Sequence, residues 1–226
     1  MLIKDWMAKN VLTVDENTSV MRATRIMKEN RVRRLPVLSH GKLVGIITDR
    51  DLKDASPSKT NSLDIHEMYY LLSEMKVKEV MTRDPICMTD DESLEKAAVV
   101  MLENKISGIL VTDEAGHLCG LVSETDVILA FLHSAGVKDG TYQYIFNVPD
   151  TAGSVTKVVA AIREHKARII SILTSFADTL EGWKQVSVRI DVDDKSHASL
   201  HKDLADNFEI VFHGRDELNN LPKKKN

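Results

Sequence analysis

One stretch of this chain occurs twice, and the duplication limits what the chain can fold into. Gly45-Ile46-Ile47-Thr48-Asp49-Arg50-Asp51 returns as Gly120-Leu121-Val122-Ser123-Glu124-Thr125-Asp126. Upstream, the copies align at one constant offset. Lys4-Asp5-Trp6-Met7 meets Lys78-Glu79-Val80-Met81, Ser19-Val20 meets Ser93-Leu94, and Ala23, Met27 and Asn30 meet Ala97, Met101 and Asn104. One inserted residue then brings Gly45 onto Gly120. A self-match of this kind marks one supersecondary unit used twice. A single such unit is too small to bury a satisfactory core, so the two are expected to pack together with pseudo-twofold symmetry.

Each copy reads β-α-β-β-α. In the first, Val11-Leu12-Thr13-Val14 forms a short strand. Ser19 caps a helix whose apolar Val20, Ala23, Ile26 and Met27 recur at helical spacing, and Asn30 closes it. Leu35-Pro36-Val37-Leu38 is a second strand, with Pro36 expected at its start or edge. His40-Gly41-Lys42 turns into a third strand over 43–48, and a helix follows from Asp49. The second copy repeats the order, with strands over 86–88, 108–112 and 118–123 and helices over 94–103 and from Glu124.

The strand-to-helix junctions carry the chemistry. Thr48 and Ser123 stand at N-cap positions, and Asp51 and Asp126 follow in the first helical turn. A hydroxyl with free helix N–H groups suits phosphate, and a carboxylate suits ribose hydroxyls. The same residues also fit ordinary helix caps with acids favourable to the helix dipole. Arg31, Arg33, Arg34 and Arg50 make the first copy cationic, where the second has Lys105, Ser107, Gly108 and Thr125. The arginines fit phosphate recognition through their planar forks; a solvated basic strand end fits them equally.

Net charge is −4, from 30 basic and 34 acidic residues, so no basic field points to nucleic acid or an anionic membrane. No apolar run approaches the ~18 residues that span a bilayer. Cys87 and Cys119 form no Cys-x-x-Cys pair, which favours a reducing, cytoplasmic setting. Cys119 reads as a small core residue, and Cys87 has no partner to activate it. His197 and His201 at i, i+4 lack a third ligand to complete a metal motif and read as surface residues. Gly-x-Ser-x-Gly, His-Glu-x-x-His and Walker loops are missing, so a non-catalytic role is expected.

Boundaries follow from these patterns: the copies at 1–56 and 77–135, a linker loop and helix over 57–76, a linker at 136–140, a C-terminal domain over 141–214 and a solvated tail over 215–226. Within the first linker, residues 55–61 read as loop. Ile65, Met68, Tyr69, Leu72 and Met75 form an apolar helical stripe, open either to a partner or to the core. The C-terminal domain reads as β-α-β-β-α-β, with strands over 142–148, 167–174, 184–192 and 209–212 and a last helix over 199–207. That is the ferredoxin-like order, so the fold class is α/β (α+β) throughout.

The duplicated Gly-φ-φ-Thr/Ser-x-x-Asp element (φ apolar) resembles that of tandem CBS domains, a Bateman module, over roughly residues 1–135. The stretch from Ile47 to Ser58 resembles more narrowly the acetoin-utilisation AcuB family, in which a small regulatory domain follows the pair. Asp150-Thr151-Ala152-Gly153 resembles the Asp-x-Pro-Gly turn of ACT domains, which sense amino acids, with Ala152 in place of the Pro. The resemblance implies that Thr48 with Asp51 and Ser123 with Asp126 mark adenine-nucleotide sites (AMP, ADP or ATP). It implies that residues around Thr13-Val14 and Cys87-Met88 flank the base, and that Arg33, Arg34 and Arg50 meet phosphate. Asp150 and Gly153 become the ligand turn of the ACT-like domain. A homodimer is the expected assembly.

Overall fold

The computed structural model describes residues 1–55, 65–177 and 179–222, and only the backbone of 65–69. The expected loop beyond Ala55, the stripe side chains of Ile65, Met68 and Tyr69, and the tail beyond Pro222 lie outside the described residues. Two compact units emerge, Met1–Ile128 and Leu129–Asn226.

In the first unit the chain runs β1 (Val14–Asp15), α1 (Val20–Asn30), β2 (Arg34–Ser39), β3 (Lys42–Thr48), α2 (Asp49–Asp54), α3 (Ile65–Glu74), α4 (Val77–Val80) and β4 (Thr82–Arg83). It continues with β5 (Cys87–Thr89), α5 (Leu94–Asn104), β6 (Gly108–Thr112), β7 (Leu118–Ser123) and the start of α6 (Glu124–Ser134), whose residues from Leu129 on are counted with the second unit. One sheet has the order β1-β2-β3-β4 and the other β5-β6-β7. In each the first strand runs parallel to the second, and the second pairs antiparallel with the third.

The repeat is reproduced down to its caps. Ser19 Oγ accepts from Arg22 N at 3.3 Å and Ser93 Oγ from Lys96 N at 3.2 Å, each satisfying an orphan helix donor for about 1 kcal/mol. The helices end in left-handed residues, Arg31 and Lys105, both at φ 54°. Val20, Ala23 and Met27 are buried, as are Leu94, Ala97 and Met101. Full burial of a Val, Leu or Met is worth roughly 1.5–3 kcal/mol each. Leu72 and Met75, from the described end of the linker stripe, pack against the first copy's core.

Pro36 departs from the expected edge position. It lies within β2, opposite Ile46, in a strand flanked on both sides. β1 pairs only with Val37 and Leu38, so no neighbour asks for the N–H that proline lacks. The first strand is correspondingly shorter and later than expected.

The lead-in segments are exchanged. The opening residues of the first copy pad the second: Ile3 N donates to Glu92 O at 3.0 Å, Ala8 and Leu121 exchange backbone bonds, and the N-terminal ammonium pairs with Glu95. The opening residues of the second copy pad the first: Val77 N donates to Thr18 O at 2.8 Å, and β4 pairs with β3 across Gly45 and Ile46. Each half is thereby completed by chain belonging, in sequence, to the other.

The second unit contains β8 (Tyr142–Pro149), α7 (Ser154–Glu164), β9 (Arg168–Ser175), β10 (Trp183–Asp191), α8 (Asp194–Asn207) and β11 (Glu209–Arg215). All pairings are antiparallel, in the order β11-β8-β10-β9. Alternation drives it: Tyr142, Tyr144, Phe146 and Val148 face inward with Val186 and Val188, against Val158, Ile162, Leu200 and Leu204 of the helices. α8 starts well before the expected Ser199, because Asp193 caps it by accepting from Lys195 N and Ser196 N, both at 3.0 Å. Among the described residues no helix is long and apolar enough to cross a membrane.

Candidate functional site

The two junctions have the same internal geometry. Thr48 ends β3 in extended backbone, and its hydroxyl accepts from Asp51 N at 3.3 Å. Asp51 Oδ2 in turn accepts from Thr48 N and Thr48 Oγ1, both at 2.7 Å. In the second copy Asp126 Oδ2 accepts from Ser123 N at 2.7 Å and Ser123 Oγ at 2.6 Å, and Asp126 N donates to Ser123 Oγ at 3.4 Å. Asp49 N donates to Arg33 O at 2.9 Å, and Glu124 N to Ser107 O at 3.2 Å. The hydroxyls and acids are therefore helix caps, but capping uses one oxygen of each carboxylate. Among the described residues no hydrogen bond engages Oδ1 of Asp51 or of Asp126, which leaves that oxygen to a hydroxyl donor.

A cleft of about 670 Å³ opens at the first junction. Thr48 and Asp51 line it together with Arg33, Arg34, Arg50 and Lys53 from the same copy. The second copy contributes Lys105, Ile106, Ser107 and Leu110, and the exchanged lead-in supplies Pro85 and Ile86. Arg33 and Arg50 are exposed and have no carboxylate within 4.0 Å among the described residues, whereas Lys53 is paired with Asp49 at 3.0 Å. Cationic, hydrogen-bonding and apolar surfaces thus meet in one concavity, within the ~300–1,000 Å³ of small-molecule sites.

The structure brings Thr48, Asp51, Arg33, Arg34 and Arg50 to this cleft and leaves other sequence candidates elsewhere. Val14 is only 5% exposed and belongs to the first copy's core, paired with Val37. Thr13 precedes that strand, half-buried, and does not line the cleft at the first junction. Cys87 and Met88 pair with Leu110 and Val111, and the cleft wall is formed just before them by Pro85 and Ile86. By the repeat, Ile86 corresponds to Leu12; they are 38% and 43% exposed. In this cleft Pro85 and Ile86 stand directly before Cys87, because the strand starts one residue later than expected. Pro85, Ile86, Lys105 and Ile106 were missed for a further reason: exchange of the lead-ins leaves no local signal. Burial pushes the Cys87 thiol pKa up, which keeps it protonated. Cys119 is half-exposed on β7 rather than a core residue.

In the second unit, His197 and His201 are not plain surface residues. Both face the buried Tyr144, whose hydroxyl lies 2.8 Å from His197 Nε2 and 3.2 Å from His201 Nδ1. His213 stacks on His201 with ring centroids 4.2 Å apart. The sequence hid this because His213 and Tyr144 arrive on neighbouring strands. Among the described residues no group of three or more His, Cys, Asp or Glu is arranged to hold a metal ion. Asp150 is half spoken for by Lys184 Nζ at 3.1 Å, and Gly153 starts α7 at φ +85°, a left-handed conformation that favours glycine.

A model of the CBS domain matches residues 3–58 and 77–133. A CBS domain-containing protein of Dictyostelium discoideum is 32% identical over 128 residues, covering 56% of this chain and 88% of its own length. The solved protein MJ1225 from Methanocaldococcus jannaschii is 30% identical, with a TM-score of 0.50 over 57% of this chain and 47% of that one. A structure of CBSX2 in complex with AMP is 32% identical, with a TM-score of 0.48 over 58% of this chain and 96% of that one. The chain spans 23%, 47% and 25% of the length of three longer curated relatives.

Proposed function

The chain belongs to the CBS domain family, and from that premise we propose that it is a non-catalytic, cytoplasmic regulatory protein that binds an adenine nucleotide at the first junction. One observation carries the reading: Asp51, with one carboxylate oxygen unengaged among the described residues, shares a cleft with Arg33 and Arg50, which have no carboxylate partner among those residues, and with the apolar wall of Pro85, Ile86 and Ile106. Asp51 takes the ribose hydroxyls in charge-assisted hydrogen bonds. Arg33 and Arg50 take the phosphate, and the base lies against the apolar wall. Binding favours one arrangement of the paired copies, limited by the ligand's preference for that arrangement. The nucleotide state then passes to a partner protein or to the ferredoxin-like, ACT-like unit, within a homodimer. The stretch from Ile47 to Ser58 supports a place in acetoin or related carbon use.

Calorimetric titration of AMP, ADP, ATP and adenosine tests this. The wild type is expected to bind, and Arg33→Ala/Arg50→Ala to weaken the phosphorylated ligands but not adenosine. Absence of binding by all four, or equal affinity of the wild type for adenosine and the phosphorylated ligands, would overturn it.

A further inference from the structure

One side chain joins the two strand-to-helix junctions. Arg34 is the ladder partner of Thr48 across β2 and β3, and Gly108 is the ladder partner of Ser123 across β6 and β7. Arg34 reaches from the first copy to the second, where Nη1 donates to Ser107 O at 2.7 Å and Nη2 to Ser107 Oγ at 2.6 Å. Ser107 O also accepts from Glu124 N at 3.2 Å, so the guanidinium lands on the carbonyl that receives the first N–H of α6. Gly108 leaves the room for it: a β-carbon there would stand 1.8 Å from Nη1 and 2.8 Å from Cζ. By the repeat, Gly108 is also the counterpart of Arg34, so no side chain returns the contact in the other direction.

The three arginines of the cleft therefore stand in different states. Arg33 and Arg50 are exposed, whereas Arg34 is half-buried. Burial, then Arg33, lower the Arg34 pKa, and Glu124, Asp126 and Asp49 oppose them. Taking a guanidinium out of water is costly unless its donors are used. Here both Nη groups meet protein oxygens in charge-assisted bonds, and acids of both junctions act on the same charge.

We propose that Arg34 is a positioning residue and not a phosphate ligand: it is a strut that fixes the spacing of the two junctions, and with it the width of the cleft, while Arg33 and Arg50 select the phosphate. The inference rests on the nucleotide-binding reading above and divides that site into residues that shape it and residues that choose the ligand. The cleft takes Thr48 and Asp51 from the copy at one end of the strut and Ile106, Ser107 and Leu110 from the copy at the other. A cleft already held at its bound width loses less to ordering when the ligand arrives. Removal of the strut therefore weakens the part of the ligand that spans both copies, the ribose on Asp51 and the base on the apolar wall. It does so whether or not a phosphate is attached.

Calorimetric titration of AMP and adenosine on the full chain, well below each variant's Tm, is the test. Arg34→Ala is expected to weaken both ligands about tenfold and to leave the ratio of their affinities unchanged. Arg34→Lys keeps the charge but not the fork, and is expected to fall between Arg34→Ala and the wild type. Gly108→Ala displaces the far end of a flexible side chain, and is expected to reproduce Arg34→Ala with the arginine still present. The double variant is expected to be no weaker than Arg34→Ala alone, since the two changes remove one contact. A loss confined to AMP in Arg34→Ala would make Arg34 a phosphate ligand and overturn the proposal. Unchanged affinity for both ligands, whatever the Tm, would overturn it as well. Either result leaves nucleotide binding intact, whereas no binding of either ligand by the wild type would overturn both.

Discussion

Met81 closes over Gly45: its sulfur lies 2.6 Å from where a β-carbon on Gly45 would stand, and Thr82 O lies 2.8 Å from the same point. Met7 does the same at Gly120, at 2.5 Å, with Ala8 O at 3.0 Å. These glycines are needed for close approach of the exchanged lead-ins, since neither has a left-handed φ. Gly45→Ala and Gly120→Ala are each expected to destabilise the first unit by about 1–3 kcal/mol, because a backbone carbonyl cannot swing aside as a methionine can. Chemical denaturation of the single variants measures it. A change below about 0.5 kcal/mol in both would contradict this packing.

Ligand linkage supplies a second prediction. A nucleotide at 100 times its Kd should stabilise the folded chain by about 2.7 kcal/mol, visible as a rise in Tm. Asp51→Ala removes the ribose acceptor and is expected to weaken binding by roughly 10–150-fold, the range of a hydrogen bond to a charged group. It also removes a capping partner, at about 1 kcal/mol, so affinity should be read by titration well below the variant's own Tm.

The C-terminal unit contains a buried ion pair that composition gave no hint of. Arg189 Nε donates to Asp216 Oδ2 at 2.7 Å, Nη2 donates to Oδ1 at 3.1 Å, and Nη1 donates to Ala135 O at 3.1 Å. Asp216→Ala would leave a charge uncompensated and is expected to cost about 3–5 kcal/mol. Arg189 above all, with the Thr141 hydroxyl, holds the Asp216 carboxyl below the usual carboxylate range, against the opposing effect of burial. A depressed carboxylate contributes stability in full above the unfolded value, near ~3.9, and loses it as pH falls through the folded one. Acid unfolding of wild type and Asp216→Asn should therefore differ above pH ~4 and converge below it.

Tyr144 ties the histidine cluster to a mildly acidic transition. Burial pushes its phenol up to about 12, so it stays protonated, donating to one histidine and accepting from the other. Burial, then His201 and His213, lower the His197 pKa; Asp194 raises it and Arg215 lowers it, while Tyr142 stacks on the ring. A histidine lowered on folding is neutral in the native state at pH values where the unfolded chain already binds a proton. Its stabilisation is complete above ~6.5 and is lost as pH falls from there toward the folded value. Tm should drop between pH 7 and pH 5, and His197→Gln should flatten that slope. A slope unchanged by the substitution would remove His197 as its source.

Much of the fold was legible because it rests on period. Val20, Ala23 and Met27 recur as Leu94, Ala97 and Met101, and inward residues alternate along β8 and β10. The junctions were legible because a hydroxyl cap and an acid three residues on are local chemistry. The starts of the strands at Val14 and Cys87 were not legible, because a strand of two or three residues carries too little pattern to fix its start. His213 was invisible beside His197 because nothing in sequence measures the distance between a helix and a strand.

The sequence alone determined the duplicated units, their capped junctions and the ferredoxin-like order of the last domain, since each depends on residues a few positions apart. Only the tertiary structure decided that the lead-ins trade places, that Pro85 and Ile86 wall the first cleft, and that Arg34 docks on Ser107 across the pseudo-twofold. Those relationships join residues far apart in the chain, and packing and charge select them only once the two halves have met.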